Sequence, residues 1–143
     1  MSNARNIASI AGEDVLNASN EIVPVYACRA WVNFNGTSGT TADNKTIRAH
    51  GNVTSVYENT LGNYQINFAI PMPHDNYAVA VFGSNEAYNS IALPTFGGPS
   101  GGPPAGAARS TYQQTSSVRV YFTDPTLYVG GNDKETATVA IFC

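Results

Sequence analysis

Few side chains in this sequence could carry chemistry. There are two histidines, His50 and His74, and two cysteines, Cys28 and Cys143. A zinc site draws on three or four His and Cys ligands at short spacing. Neither histidine has such a partner, so no metal site and no cofactor are expected. A Cys28–Cys143 disulfide would close most of the chain and could stabilise it by about 4–5 kcal/mol in the entropy model. Two cysteines make no disulfide framework, however, and free thiols are the expectation. His74-Asp75 follows Pro71-Met72-Pro73 and reads as turn chemistry. Asp133 and Glu135 stand two apart and would share one face of a strand. Glycosidase carboxylates flank a cleft from separate elements, so this pair is expected to face solvent. No Gly-x-Ser-x-Gly elbow is present. The Gly-rich stretch lacks the Lys-Ser/Thr that completes a phosphate-binding loop. Asp and Asn side chains are scattered without the ordered spacing of a calcium loop. The chain is therefore not expected to be an enzyme, and no catalytic residue is nominated.

Composition narrows the remaining classes. The 143 residues suit one domain, with 43% hydrophobic but only 12% charged residues and a formal net charge of -3. Charged residues usually make up about 25% of a globular chain. Polarity comes instead from 15 Asn, 11 Ser and 13 Thr. An acidic, charge-poor chain has no basic face to offer a nucleic acid. No apolar run approaches the roughly 20 residues of a membrane-spanning helix, so membrane insertion is not expected. The first residues lack the basic start and apolar core of a signal peptide.

The elements that must position any site change character along the chain. In residues 1–24, Ile7, Ala11, Val15, Ala18 and Ile22 are spaced close to the seam of a short helix. The segment reads either as an attachment and oligomerisation arm or as a frayed terminus on a neighbour, and Pro24 ends it. From Val25 the period becomes two. Tyr26, Cys28, Ala30, Val32 and Phe34 share a core-facing side, with Arg29, Trp31 and Asn33 opposite. An outward Trp is either covered by a loop or used in a contact.

Asn35–Thr40 reads as a turn, followed by strands at Lys45–His50, Val53–Glu58 and Asn63–Ile70. The last two are joined by a hairpin loop at Asn59-Thr60-Leu61-Gly62. Further strands are expected at Tyr77–Gly83, Tyr88–Leu93, Ser117–Asp124 and Thr136–Cys143. Residues 95–110 form a Gly/Pro-rich loop without periodicity. Seven or eight short strands at this spacing predict an all-β fold, an antiparallel β-sandwich over residues 25–143 preceded by the short N-terminal arm.

Several ordered motifs then carry a resemblance. Ala30-Trp31-Val32-Asn33-Phe34-Asn35-Gly36-Thr37 is followed by Ile47-Arg48-Ala49-His50-Gly51-Asn52-Val53-Thr54-Ser55-Val56. Gly62-Asn63-Tyr64-Gln65-Ile66-Asn67-Phe68 and Met72-Pro73-His74-Asp75-Asn76-Tyr77-Ala78-Val79 come after. Together, over roughly residues 29–82, they resemble the C-terminal, receptor-binding-type domain of bacteriophage tail fibres, familiar from marine phages and cyanophages. The resemblance implies a β-rich homotrimer, made in the host cytoplasm and carried on the virion. It also implies a variable region contacting a host glycan or outer-membrane receptor after the shared block, here about residues 84–112. Only 24 residues precede the domain, whereas fibres carry a long stalk. The stalk is then another polypeptide, or the domain sits close to the particle among other virion proteins.

Two functions follow as expectations. The first is a tail-fibre or fibre-tip protein for host attachment, with Asn85, Tyr88, Phe96, Arg109 and Tyr112 as receptor-contact candidates. The second is a capsid decoration or tail-assembly protein that docks through its N-terminal arm. Its oligomer or docking candidates are Ile7, Ala11, Val15, Ala18, Ile22 and Trp31. A surface of Asn, Ser, Thr and Tyr suits repeated weak binding, with avidity supplied by several copies. A free carbohydrate-binding module would need an aromatic platform on a sheet face, and the sequence offers only isolated outward aromatics.

Overall fold

A computed structural model of the chain describes residues 15–16, 22–23, 28–84, 112–122 and 131–143. These are all-β, with no helix among the described residues. Strands β1 (Val15–Leu16) and β2 (Ile22–Val23) pair antiparallel with each other. The helical seam expected there is therefore not formed at Val15 or Ile22. Asn17, Ser19 and Asn20 between them are poor helix formers, and the two apolar pairs form a short ladder instead. Ile7, Ala11 and Ala18 lie outside the described residues.

Seven longer strands follow: β3 (Cys28–Asn35), β4 (Thr46–Gly51), β5 (Val53–Thr60), β6 (Asn63–Phe68), β7 (Ala78–Ser84), β8 (Ser117–Tyr121) and β9 (Thr136–Phe142). They form a four-stranded sheet in the order β4-β3-β9-β7 and a three-stranded sheet in the order β5-β6-β8, all antiparallel. The period-two pattern sends Ala30, Val32 and Phe34 of β3, Val81 of β7, and Ala137, Val139 and Ile141 of β9 to one side of the first sheet. They meet Val53, Val56, Tyr64, Ile66, Phe68, Val118, Val120 and Phe122 from the second. Tyr64 lies at the centre, edge-on to Phe34 and Phe122 with ring centroids 5.0 and 5.7 Å away. The expected sandwich is thus the architecture of the described residues.

Local departures have local causes. Cys28 was expected to face the core, but it is exposed. The β3–β9 register shifts between Cys28 and Ala30, and an irregularity there breaks the alternation. Ile70, expected to end the Asn63–Ile70 strand, lies beyond β6, which stops at Phe68, and is 70% exposed. Asn52 draws the chain away from the sheet by bonding both the Ile70 N–H (2.7 Å) and the Ile70 carbonyl (3.0 Å). The β5–β6 loop tightens to Leu61-Gly62, because Thr60 already pairs with Asn63. The expected strand Tyr88–Leu93 and the Gly/Pro-rich loop 95–110 lie outside the described residues.

Candidate functional site

Two constellations stand out: a buried polar cluster and one outer sheet face. The cluster begins with Glu58, which β5 turns inward beside Tyr64, its pairing partner on β6. Lys45 reaches it from the segment before β4. That segment runs along the β5 edge, with Lys45 N–H donating to Val56 O at 2.8 Å and Glu58 N–H to Asp43 O at 3.0 Å. Lys45 therefore does not begin a strand, as its sequence position suggested. Its ammonium pairs with Glu58 and also donates to the carbonyls of Ser38 (2.9 Å) and Thr40 (3.0 Å). The two side chains are 1% and 0% exposed.

Asp133 closes the cluster. It accepts from the Tyr64 hydroxyl at 2.6 Å and from Gly62 N–H at 2.8 Å. It lies close enough to Glu58 to act on its ionisation, and it is half-buried where open solvent was expected. Burial raises the pKa of Glu58 above its ordinary value. A hydrogen bond to Asp133 and repulsion from it add to the rise, while Lys45 opposes it. Burial is also the main cause that drives the Tyr64 phenol upward, with the hydrogen bond to Asp133 and the charges of Asp133 and Glu58 adding. Two carboxyls and an ammonium could in principle exchange protons with a substrate. Here they sit in the core between the two sheets, where no substrate atom reaches Glu58, so the arrangement acts as a clamp across the sandwich.

The two outer faces differ in kind. On the three-stranded sheet, neighbouring polar side chains satisfy one another. Arg119 Nε donates to Gln65 Oε1 (3.3 Å), Gln65 Nε2 to Asn67 Oδ1 (2.8 Å) and Asn67 Nδ2 to Ser55 Oγ (2.9 Å). On the four-stranded sheet, register places Gly51, Trp31, Ala140 and Ala80 in one row. The next row holds Ala49, Asn33, Thr138 and Phe82, and Phe142 with Ala78 lies on the far side of the Trp31 row. Trp31, Phe82 and Phe142 are 41%, 63% and 38% exposed. The indole lies over Gly51: a Cβ built there would sit 2.5 Å from Trp31 Nε1 and 3.0 Å from Cδ1. Asn33 Nδ2 donates to Thr138 Oγ1 at 2.9 Å across the same face. Below them Arg48 crosses β3 to donate to Thr136 Oγ1 at 3.2 Å.

Trp31 thus faces outward as the alternation implied, with Phe82 and Phe142 brought to its side. Phe82 and Phe142 were missed. The available signal was that β7 and β9 each carry apolar residues on both parities, which a strand buried on one face alone does not need. Tyr112 is half-buried at the β8 edge, where its carbonyl accepts from Arg119 N–H at 2.7 Å. It lies on the edge of the opposite sheet, away from the Trp31 face. Asn85, Tyr88, Phe96 and Arg109 lie outside the described residues.

His74 forms the expected turn, its Nδ1 accepting from Asn76 N–H at 3.2 Å, and its ring also lies 3.6 Å from Cys143 Sγ. Cys28 and Cys143 are both free thiols. Among the described residues there is no group of three His, Cys, Asp or Glu able to hold a metal ion, and no helix long and apolar enough to cross a membrane. Comparisons with protein-family models, curated proteins and solved structures find no match to this chain.

Proposed function

We propose that this chain is a non-enzymatic bacteriophage virion protein, a tail-fibre or fibre-tip component that attaches the particle to its host. One observation carries this reading above all: the contrast between the two outer faces. The three-stranded sheet turns outward a polar set bonded within itself beside a single half-buried ring, Tyr57, whereas the four-stranded sheet turns outward three more exposed aromatic rings among alanines. An exposed apolar patch of that kind marks a contact surface. The motifs that resemble the fibre domain supply the virion context, and they run through β3 to β7, which build most of both sheets. A homotrimer would multiply a weak contact into useful avidity.

Immunogold imaging of intact virions, together with binding of the purified chain to host cells, tests this reading. Label at fibre tips and saturable cell binding are expected. Label spread over the capsid without cell binding would replace attachment by the decoration role.

A further inference from the structure

We infer that the outer face of the four-stranded sheet, centred on Trp31, binds a glycan by stacking pyranose rings on its aromatic side chains. This deepens the attachment reading and rests on it. The first support is the posture of the indole. Its Nε1 and Cδ1 lie against the glycine backbone at Gly51, and the side chain stays 41% exposed, open to contact from outside. The electron-rich face of an indole attracts the C–H groups on the apolar side of a sugar ring.

The second support is shape. Ala78, Ala80 and Ala140 form a shallow floor between the rings. Across the strands, Trp31 and Phe82 are two steps of about 4.8 Å apart, and along them one two-residue step of about 7 Å. That separation calls for an extended chain of rings and not a single sugar. The third is polarity. The Asn33 amide oxygen and the Thr138 hydroxyl proton, beside the rings, have no intramolecular partner among the described residues and can meet sugar hydroxyls.

A second copy of the chain fits this face less well. Four strands of about seven residues give a footprint of about 19 by 23 Å, or about 450 Å², against roughly 800 Å² per partner in a stable interface. Interface aromatics also anchor by filling pockets, whereas the three exposed rings here rise from a floor of alanines. Among the described residues this face carries no carboxylate, and Arg48 lies at its lower edge, so uronic sugars and neutral ones are both admissible.

Trp31 is the sole tryptophan, so its emission reports on this face alone. The full chain is titrated with cellohexaose, maltohexaose, mannohexaose, xylohexaose and hexagalacturonate. A saturable change in emission is expected with at least one of them. Phe82→Ala, at a side chain exposed enough to spare the fold, should weaken that sugar by about tenfold. Silence with every sugar up to its solubility overturns the proposal. So does emission that changes on protein dilution and not with sugar, which would assign the face to contact between copies. Host-cell binding measured in parallel separates the two readings. Cell binding with silent sugars rejects this face and leaves attachment standing. Sugar binding without cell binding keeps the glycan face and rejects attachment.

Discussion

The Tyr64 hydroxyl donates to the Asp133 carboxylate at 2.6 Å, joining β6 of one sheet to the segment that enters β9 of the other. A bond between residues 69 positions apart fixes how the two sheets stack. The same carboxylate holds the β5–β6 turn through Gly62 N–H. One acidic side chain therefore ties a hairpin turn and a core aromatic to a strand from the other end of the chain.

Replacing Tyr64 by Phe should keep both edge-on ring contacts and remove only the hydroxyl. With Asp133 short of a buried donor, the cost is expected to be about 1–3 kcal/mol. Urea denaturation should show a lower midpoint with an unchanged slope, because the fold and the area it buries stay the same.

The buried Glu58 carboxyl predicts a pH signature. Its pKa in the fold is raised above the ordinary 4.5, chiefly by burial. A carboxyl raised in the folded state favours folding when protonated. Its contribution is full below the unfolded value and is lost as pH rises through the folded one. Thermal melts of wild type and Glu58→Gln at successive pH values should diverge in slope. Between pH 4.5 and the folded pKa the wild type should lose stability relative to the variant. Parallel curves would show that Glu58 titrates as it does in the unfolded chain.

Two glycines with similar positive φ separate backbone strain from crowding. Gly39 and Gly62 have φ of 69° and 71°. A Cβ at Gly39 finds its nearest neighbour 3.5 Å away, whereas at Gly62 it would lie 2.5 Å from Asn132 N and 2.6 Å from Phe122 O. Gly39→Ala should cost about 1 kcal/mol for the left-handed conformation alone. Gly62→Ala must also move backbone, and is expected to cost at least twice as much in chemical denaturation.

The difference between what the sequence revealed and what it hid is physical. Strand β3 was legible because Ala30, Val32 and Phe34 recur at every second position, and the same parity turned Trp31 outward with Asn33. Period two fails wherever the register shifts, as at Cys28, and in β5, where Val53 and Val56 both face inward although they stand three apart. The Lys45–Glu58–Asp133 cluster was hidden for another reason. Charges read as solvent-facing until partners from distant segments are seen to meet, and no local spacing announces that meeting. The Trp31 face was half legible: parity could turn each ring outward, but strand order alone set the rings side by side.

Lys45 and Glu58 should behave as one unit. Their attraction offsets the loss of hydration only while both are present, so removing one leaves a buried charge without its counter-ion. Lys45→Met is expected to cost about 3–5 kcal/mol near neutral pH. The cost should shrink in acid, as Glu58 takes up a proton and no longer needs the ammonium. Adding Glu58→Gln to Lys45→Met should recover part of the loss at neutral pH, because the stranded carboxylate disappears. Recovery will be incomplete, since Lys45 also satisfies the carbonyls of Ser38 and Thr40. A double-mutant cycle read by denaturant unfolding measures the coupling directly. A coupling near zero would mean that the ammonium stabilises the 38–45 loop alone and that Glu58 is neutral in the fold.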